Sequence, residues 1–251
     1  LSEYGELLLS KFPTSFGKVF FVNSGSAASD LAVRLAQNYS NEKTMVVMEH
    51  GYHGNTRMGI DISHYKYTSK GGKGKQSDII EATIPDTYRG IYKEALDDAG
   101  VRYAKDLIDQ IDARDEKVAG FISEPIIGCG GQVPLPPSYL KEVYHYIRGQ
   151  GGVCISDEVQ TGFGRLGEYF WGYEMQQVVP DIVVLGKPMG NGHPIGAVIT
   201  TNAIANAFDN GMEFFSSFGG NPVSCAVGSK VLDILEEEKL QENALVVGNY
   251  Y

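Results

Sequence analysis

Four short clusters carry residue types that can do chemistry. Lys187 ends an apolar run in LGKPMGNG and is followed by Pro188, Gly190 and Gly192. An ammonium stripped of water has a lowered pKa and becomes a nucleophilic amine, and the glycines leave room for a planar ligand beside it. A surface lysine in a glycine-rich loop is the plainer reading. Asp157 and Glu158 follow the run VCIS. Alternation along a strand turns them to opposite faces, so one inward carboxylate, Asp157, is expected to pair with a cation. A solvated loop acid is the alternative. Asn23-Ser24-Gly25-Ser26 opens a helical stretch. Free N–H groups at the positive end of a helix dipole suit an anion, phosphate above all. An ordinary helix start capped by Ser24 or Ser26 has the same sequence. In His50-Gly51-Tyr52-His53-Gly54 an aromatic between glycines can lie flat on a ring. His50 and His53 also have a spacing that zinc accepts, but no third ligand follows at a sensible distance.

Each cluster alone is weak. A phosphate cradle, an inward carboxylate, a buried lysine and a stacking aromatic are, together, the parts that hold pyridoxal phosphate. The lysine bonds the cofactor aldehyde, the carboxylate keeps the pyridine nitrogen protonated, the aromatic covers a ring face and the helix start takes the phosphate. Other phosphate motifs are missing. The dinucleotide pattern G-x-G-x-x-G does not occur at the Gly25 turn, and Gly71 to Lys75 fails as a P-loop because Gln76 stands where Ser or Thr is required.

The elements that must position these residues alternate between strand and helix. Strands are expected at 19–22, 45–48, 79–85, 118–123, 152–156, 182–185 and 197–200, most of them unbroken apolar runs. Helices are expected at 27–39, 103–114, 138–149 and 222–238, the last with Pro222 near its first turn. Residues 70–78 form a polar surface loop, and the end of the chain reads as a continuing helix. Continuous apolar strands are the mark of a sheet buried on both faces, so an α/β fold with a mostly parallel sheet sandwiched by helices is expected. In such folds ligands lie at the carboxyl ends of the strands, where all four clusters fall. No repeat, low-complexity tract or linker breaks the chain, and one domain over 1–251 is expected.

Composition narrows the class. With 251 residues, 21 basic against 31 acidic side chains and a formal charge of −10, the chain is expected to avoid nucleic acid and anionic membrane surfaces. Hydrophobic residues at 43% are enough to build a core. No stretch reaches the ~18 apolar residues of a membrane span. Cys129, Cys154 and Cys225 are too few and scattered for a disulfide framework, and LSEYGELLLS is not a signal peptide, so a cytoplasmic location is the expectation.

The motifs FVNSGSAASDLAVRLA, HGYHGNT, SEPIIGCGG, GGVCISDEVQTGFGRLG, PDIVVLGKPMGNGHP and SSFGGNPVSCA together resemble the class III aminotransferases, a pyridoxal-phosphate family of fold type I, over essentially the whole chain. The resemblance implies roles. Lys187 resembles the Schiff-base lysine and proton shuttle, and Asp157 the partner of the pyridinium. Val159 packs on the ring face opposite Tyr52, with His53 beside it, and Gln160 meets the ring's phenolic oxygen. Gly25 and Ser26 match the phosphate-binding pair. Ser217 matches a Thr that reaches the phosphate from the neighbouring subunit, which implies a homodimer with active sites at the interface. Glu124 matches a glutamate near cofactor and substrate. The sequence departs from the family at Ala27 (usually Glu), Ser29 (usually Asn) and Cys129 (often acidic). The family's smaller domain, built from both chain ends, has no counterpart here, so the chain is expected to be the cofactor-binding large domain.

Within the family, IDISHYKY, IPDTYRG, CGGQ and GKPMGNGHP are similar to the ethanolamine-phosphate and phosphohydroxylysine phospho-lyases, and DEVQTGFGRLG to the alanine–glyoxylate type. Transamination of a small amino substrate is the first expectation, and elimination of phosphate from an amino-alcohol phosphate the second. The latter needs cations for the substrate phosphate, for which Arg57, Lys66 and Lys70 are the region to inspect. A cofactor-binding domain without turnover is the third.

Overall fold

Unbroken runs of Val, Ile, Met and Phe have no polar face to give to water, so they must be covered on both sides. The computed structural model, which describes residues 1–250, builds them into nine strands: β1 (Lys18–Val22), β2 (Thr44–Met48), β3 (Ile79–Ala82), β4 (Val118–Ser123), β5 (Ile126–Ile127), β6 (Val133–Pro134), β7 (Val153–Asp157), β8 (Ile182–Leu185) and β9 (Gly196–Thr200). Seven form one sheet in the order β1-β9-β8-β7-β4-β2-β3, and β5 and β6 make a separate two-stranded ribbon. Pairings within β8-β7-β4-β2-β3 are parallel, and only β9 runs against its neighbours β1 and β8.

The helices are α1 (Ser2–Leu9), α2 (Gly25–Ser40), α3 (Arg57–Asp61), α4 (His64–Tyr67), α5 (Ala99–Asp112), α6 (Tyr139–Gly149), α7 (Asn202–Phe208), α8 (Pro222–Glu237) and α9 (Leu240–Tyr250). Period-2 alternation sorts each strand between two cores. Val47, Ile122, Ile155 and Val184 pack with the Leu31–Leu35 face of α2. Val46, Phe121 and Cys154 pack with Leu107 of α5 and Leu140 and Val143 of α6. A third cluster places Trp171, Tyr4 and Leu8 against Val183 and Ile199.

Several expected boundaries move for local reasons. The strand expected to run to Pro85 stops at Ala82, because its partner β2 ends at the Met48–Ala82 pair. The helix expected from Ala27 starts at Gly25, because the Ser24 hydroxyl caps it by accepting from the Ala27 N–H at 3.1 Å. The helix expected from Tyr103 begins at Ala99. The loop at 70–78 and the helical C-terminal stretch are as expected, with Tyr251 outside the described residues. Short α3, α4 and α7 have too few turns to show a period and were not expected from the sequence. Among the described residues no helix is long and apolar enough to cross a membrane.

Candidate active site

Parallel strands deliver their carboxyl ends to one edge of the sheet, and a cavity of about 170 Å³ opens there. Its walls include Gly25, Ser26, Tyr52, Asp157, Val159 and Lys187, together with His53, Glu124 and Gln160. Nine of the ten residues singled out by sequence therefore share one space. The exception is Ser217, which stands exposed in the connection between α7 and α8 and does not line the cavity.

Asp157 at the end of β7 is buried, and its Oδ2 lies 2.7 Å from Nδ1 of a fully buried His53. The other oxygen, Oδ1, accepts the Val159 N–H at 3.1 Å. Burial alone would lower the His53 pKa, but the hydrogen bond to Asp157, its charge and that of Glu124 outweigh burial and raise it. His53 is itself fixed by its backbone N–H, which donates to Ser63 Oγ at 2.7 Å. Its Nε2 is buried without a partner. The pair is thus a carboxylate backed by an imidazole, facing the cavity with its charge held in place. The zinc reading of His50 and His53 is not borne out. His53 turns to Asp157, His50 turns to the His64 ring at 5.0 Å, and no metal-holding group of His, Cys, Asp or Glu exists among the described residues.

Asp157 is therefore not a solvated loop acid, and Glu158, next in sequence, faces away from the cavity as strand alternation requires and is fully buried. Its carboxylate accepts from Ser156 Oγ, Thr161 Oγ1, Gly172 N and Tyr173 N at 2.6–3.1 Å. Burial raises its pKa, and those four donors offset only part of the rise.

One wall is bare backbone. A Cβ on Gly25 would sit 3.0 Å from the Val159 methyls, and one on Gly186 would sit 3.1 Å from Gly25 Cα. A Cβ on Gly54, at φ 120°, would come within 2.7 Å of Ser26 Cα. These positions need glycine so that the α2 turn can approach both Lys187 and the loop after β2. The first N–H groups of α2, at Gly25 and Ser26, have no partner inside the helix and add to its positive end. Ser26 Oγ accepts the Asn55 N–H at 3.1 Å. Ser29, buried on the next turn, has an unpartnered hydroxyl and also lines the cavity.

Lys187 does not fulfil the expectation of a buried amine. It is exposed, because Gly186 and the tight turn at Lys187–Met189 carry it off the end of β8 toward the opening. Its φ of 21° falls at the edge of the left-handed region, a strained setting for a side-chain-bearing residue. Nζ donates to Gln160 Oε1 at 3.3 Å. Opposite, Glu124 accepts the Tyr52 N–H at 3.1 Å and the Gly128 N–H at 3.4 Å. Its burial pushes the carboxyl pKa up to about 7, against the lowering charge of His53.

The donor set fits pyridoxal phosphate. Uncapped N–H groups beside a glycine cradle suit a phosphate, an aromatic and a valine wall suit a flat ring, and a carboxylate backed by His53 suits a protonated ring nitrogen. Residues 1–251 match the family described as aminotransferase class-III. The chain belongs to the class III aminotransferase family. It is 44% identical over 257 residues to alanine–glyoxylate aminotransferase 2-like of Drosophila melanogaster, covering 100% of this chain and 52% of that protein. The phospholyase from Arthrobacter in complex with phosphoethanolamine superposes with a TM-score of 0.90 at 38% identity, over 99% of this chain and 59% of that one. The omega transaminase from Pseudomonas jessenii in complex with PMP gives 0.89 at 29% identity, over 96% and 56%. The chain thus spans about half the length of the relatives it matches.

Proposed function

We propose that this chain carries the cofactor site of a pyridoxal-phosphate enzyme that transfers an amino group between an amine or amino acid and an oxo-acid. The observation that carries this reading is the shared cavity: Lys187 and Asp157, on the ends of neighbouring strands β8 and β7, open into one space floored by the His53 contact. Gly25 and Ser26 would hold the phosphate, Tyr52 and Val159 the two ring faces, Gln160 the phenolic oxygen and Glu124 the substrate side. When bound, the cofactor supplies an aldehyde for the amine and a ring that draws off electron density. The chain's own residues do the rest. Lys187, whose Nζ donates to Gln160 Oε1, would hold the aldehyde end of the cofactor and carry a proton at its amine. Asp157 presents a fixed negative charge to the ring nitrogen. Added pyridoxal phosphate is expected to give a visible absorbance band in the wild type and none in Lys187→Ala. An unchanged wild-type spectrum would sink the reading, and a band without turnover would leave only a cofactor-binding domain.

A second reading, elimination of phosphate from an amino-alcohol phosphate, is supported by the likeness to the Arthrobacter phospholyase at 38% identity, above that to the transaminase. Stoichiometric inorganic phosphate from phosphoethanolamine with no oxo-acid added decides for elimination; conversion of an amino donor only in the presence of an oxo-acid decides for transfer.

The homodimer belongs to this proposal. Ser217 is flanked by Phe215 and Phe218, which are 77% and 71% exposed, so a second copy laid on this segment would cover them and carry Ser217 toward its neighbour's phosphate site. The acidic balance argues against nucleic acid and anionic membranes as partners, and three free thiols fit the reducing cytoplasm.

A further inference from the structure

The segment IDISHYKY, residues 60–67, lines no wall of the cavity, yet it holds the loop that does. Its successive residues meet His50-Gly51-Tyr52-His53 in turn. Ser63 Oγ accepts the His53 N–H at 2.7 Å. The His64 ring stands edge-on to the His50 ring at 5.0 Å. Tyr65 donates its backbone N–H to the Gly51 carbonyl at 3.2 Å and sets its ring edge-on to Tyr52 at 6.1 Å. Lys66 Nζ lies 5.8 Å from the centroid of the same Tyr52 ring.

The Ser63 contact is sealed from water. Ser63 is 0% exposed, and its hydroxyl accepts from His53 while donating to the Gly59 carbonyl at 2.5 Å. A buried hydroxyl that bridges two backbone groups leaves neither free to turn, since each would lose its partner. Gly59 in turn lies against the cavity loop, where a Cβ on it would come within 3.0 Å of the Gly54 carbonyl carbon. The charged groups that act on the His53 ring are Asp157, at 2.7 Å, and Glu124. Burial is the largest influence and opposes the protonated ring, and the Asp157 bond with the two charges overcomes it. That balance depends on where the ring stands. A hydrogen bond weakens steeply as its geometry degrades, whereas the cost of burial stays.

We infer that Ser63 is a positioning residue: its hydroxyl pins the His53 backbone so that the imidazole meets Asp157, and through that contact it sets how firmly Asp157 presents its charge to the cavity. The consequence for turnover rests on the pyridoxal-phosphate reading above, whereas the placement of the ring does not.

The test compares the whole wild-type protein with Ser63→Ala, Ser63→Thr and Thr56→Val. Thr56 caps α3 by accepting the Gly59 N–H at 2.9 Å, so its loss loosens the same segment without touching His53. The first readout is the titration of His53, followed by NMR of its ring nitrogens without cofactor. Ser63→Ala is expected to lower the midpoint, Ser63→Thr to restore it, and Thr56→Val to leave it at the wild-type value even though it melts earlier. The second readout is turnover with pyridoxal phosphate. Ser63→Ala is expected to lose about 10-fold in kcat at unchanged KM, with Ser63→Thr recovering most of it. An unmoved midpoint in Ser63→Ala overturns the inference, and so does an equal shift in Thr56→Val, which would mark general loosening. A lowered midpoint with unchanged kcat overturns the link to Asp157. If Ser63→Thr does not fold, the contrast between Ser63→Ala and Thr56→Val decides alone. If the wild type forms no visible band with pyridoxal phosphate while the midpoints separate as expected, the cofactor reading falls and the placement of His53 stands. A normal band with coincident midpoints fells the placement alone.

Discussion

Asp157 and Glu158 are neighbours in sequence and both buried, but they sit in opposite kinds of surroundings. Glu158 is held by four protein donors on the face away from the cavity, two hydroxyls and the two N–H groups that start the Gly172 turn. Asp157 has one imidazole and one backbone N–H and opens into the cavity. A carboxylate saturated by its own chain serves the fold. One left with acceptor capacity toward a cavity can serve a ligand.

The comparison breaks most sharply at Asp157. Asp157→Asn keeps the shape and removes the charge, so turnover is expected to fall by about three orders of magnitude, roughly 4 kcal/mol in the barrier. Its melting temperature is expected to stay within a few degrees of wild type, by scanning calorimetry. Glu158→Ala is expected to do the reverse. Stranding four donors in the interior costs about 3–5 kcal/mol of stability by urea titration, while the folded fraction still forms the cofactor band. If Asp157→Asn proves the more destabilising, the division between the two acids is wrong.

Glu124 sharpens the comparison with a third buried acid. Its folded pKa of about 7 lies above the unfolded value, so between about 4.5 and 7 the folded chain binds more protons and stability falls as pH rises. Glu124→Gln is expected to flatten that fall, by about 3 kcal/mol, in denaturation curves taken across this window. The smallest effect is reserved for Thr161→Val, which removes one of the four Glu158 donors and is expected to cost about 1 kcal/mol with no change in KM.

The same pair of acids marks how far sequence carries the argument. Apolar runs gave strand positions to within a few residues, and the rule that parallel strands present ligands at their carboxyl ends brought Lys187, Asp157, Gly25 and Tyr52 to one edge. What it could not give is anything decided by distant partners. His53 meets Asp157 across 104 positions, so the sequence set it beside the cofactor ring without showing that its partner is the acid at the end of β7. The burial of Glu158 was not legible either, because two of its donors are main-chain groups at Gly172 and Tyr173, which no residue type announces. Lys187 was expected inside because it follows an apolar strand, but the turn after Gly186 carries it outward. Lys66 stood out only as one of three surface cations until the fold laid it over Tyr52.

The bare contact between Gly25 and Gly186 has an evolutionary consequence. Main chain meets main chain there, so no larger residue can enter at either position without wedging the start of α2 away from the end of β8. Descendants of this scaffold can drift in what they accept by exchanging cavity residues such as Cys129, while the spacing between the α2 turn and the end of β8 stays locked.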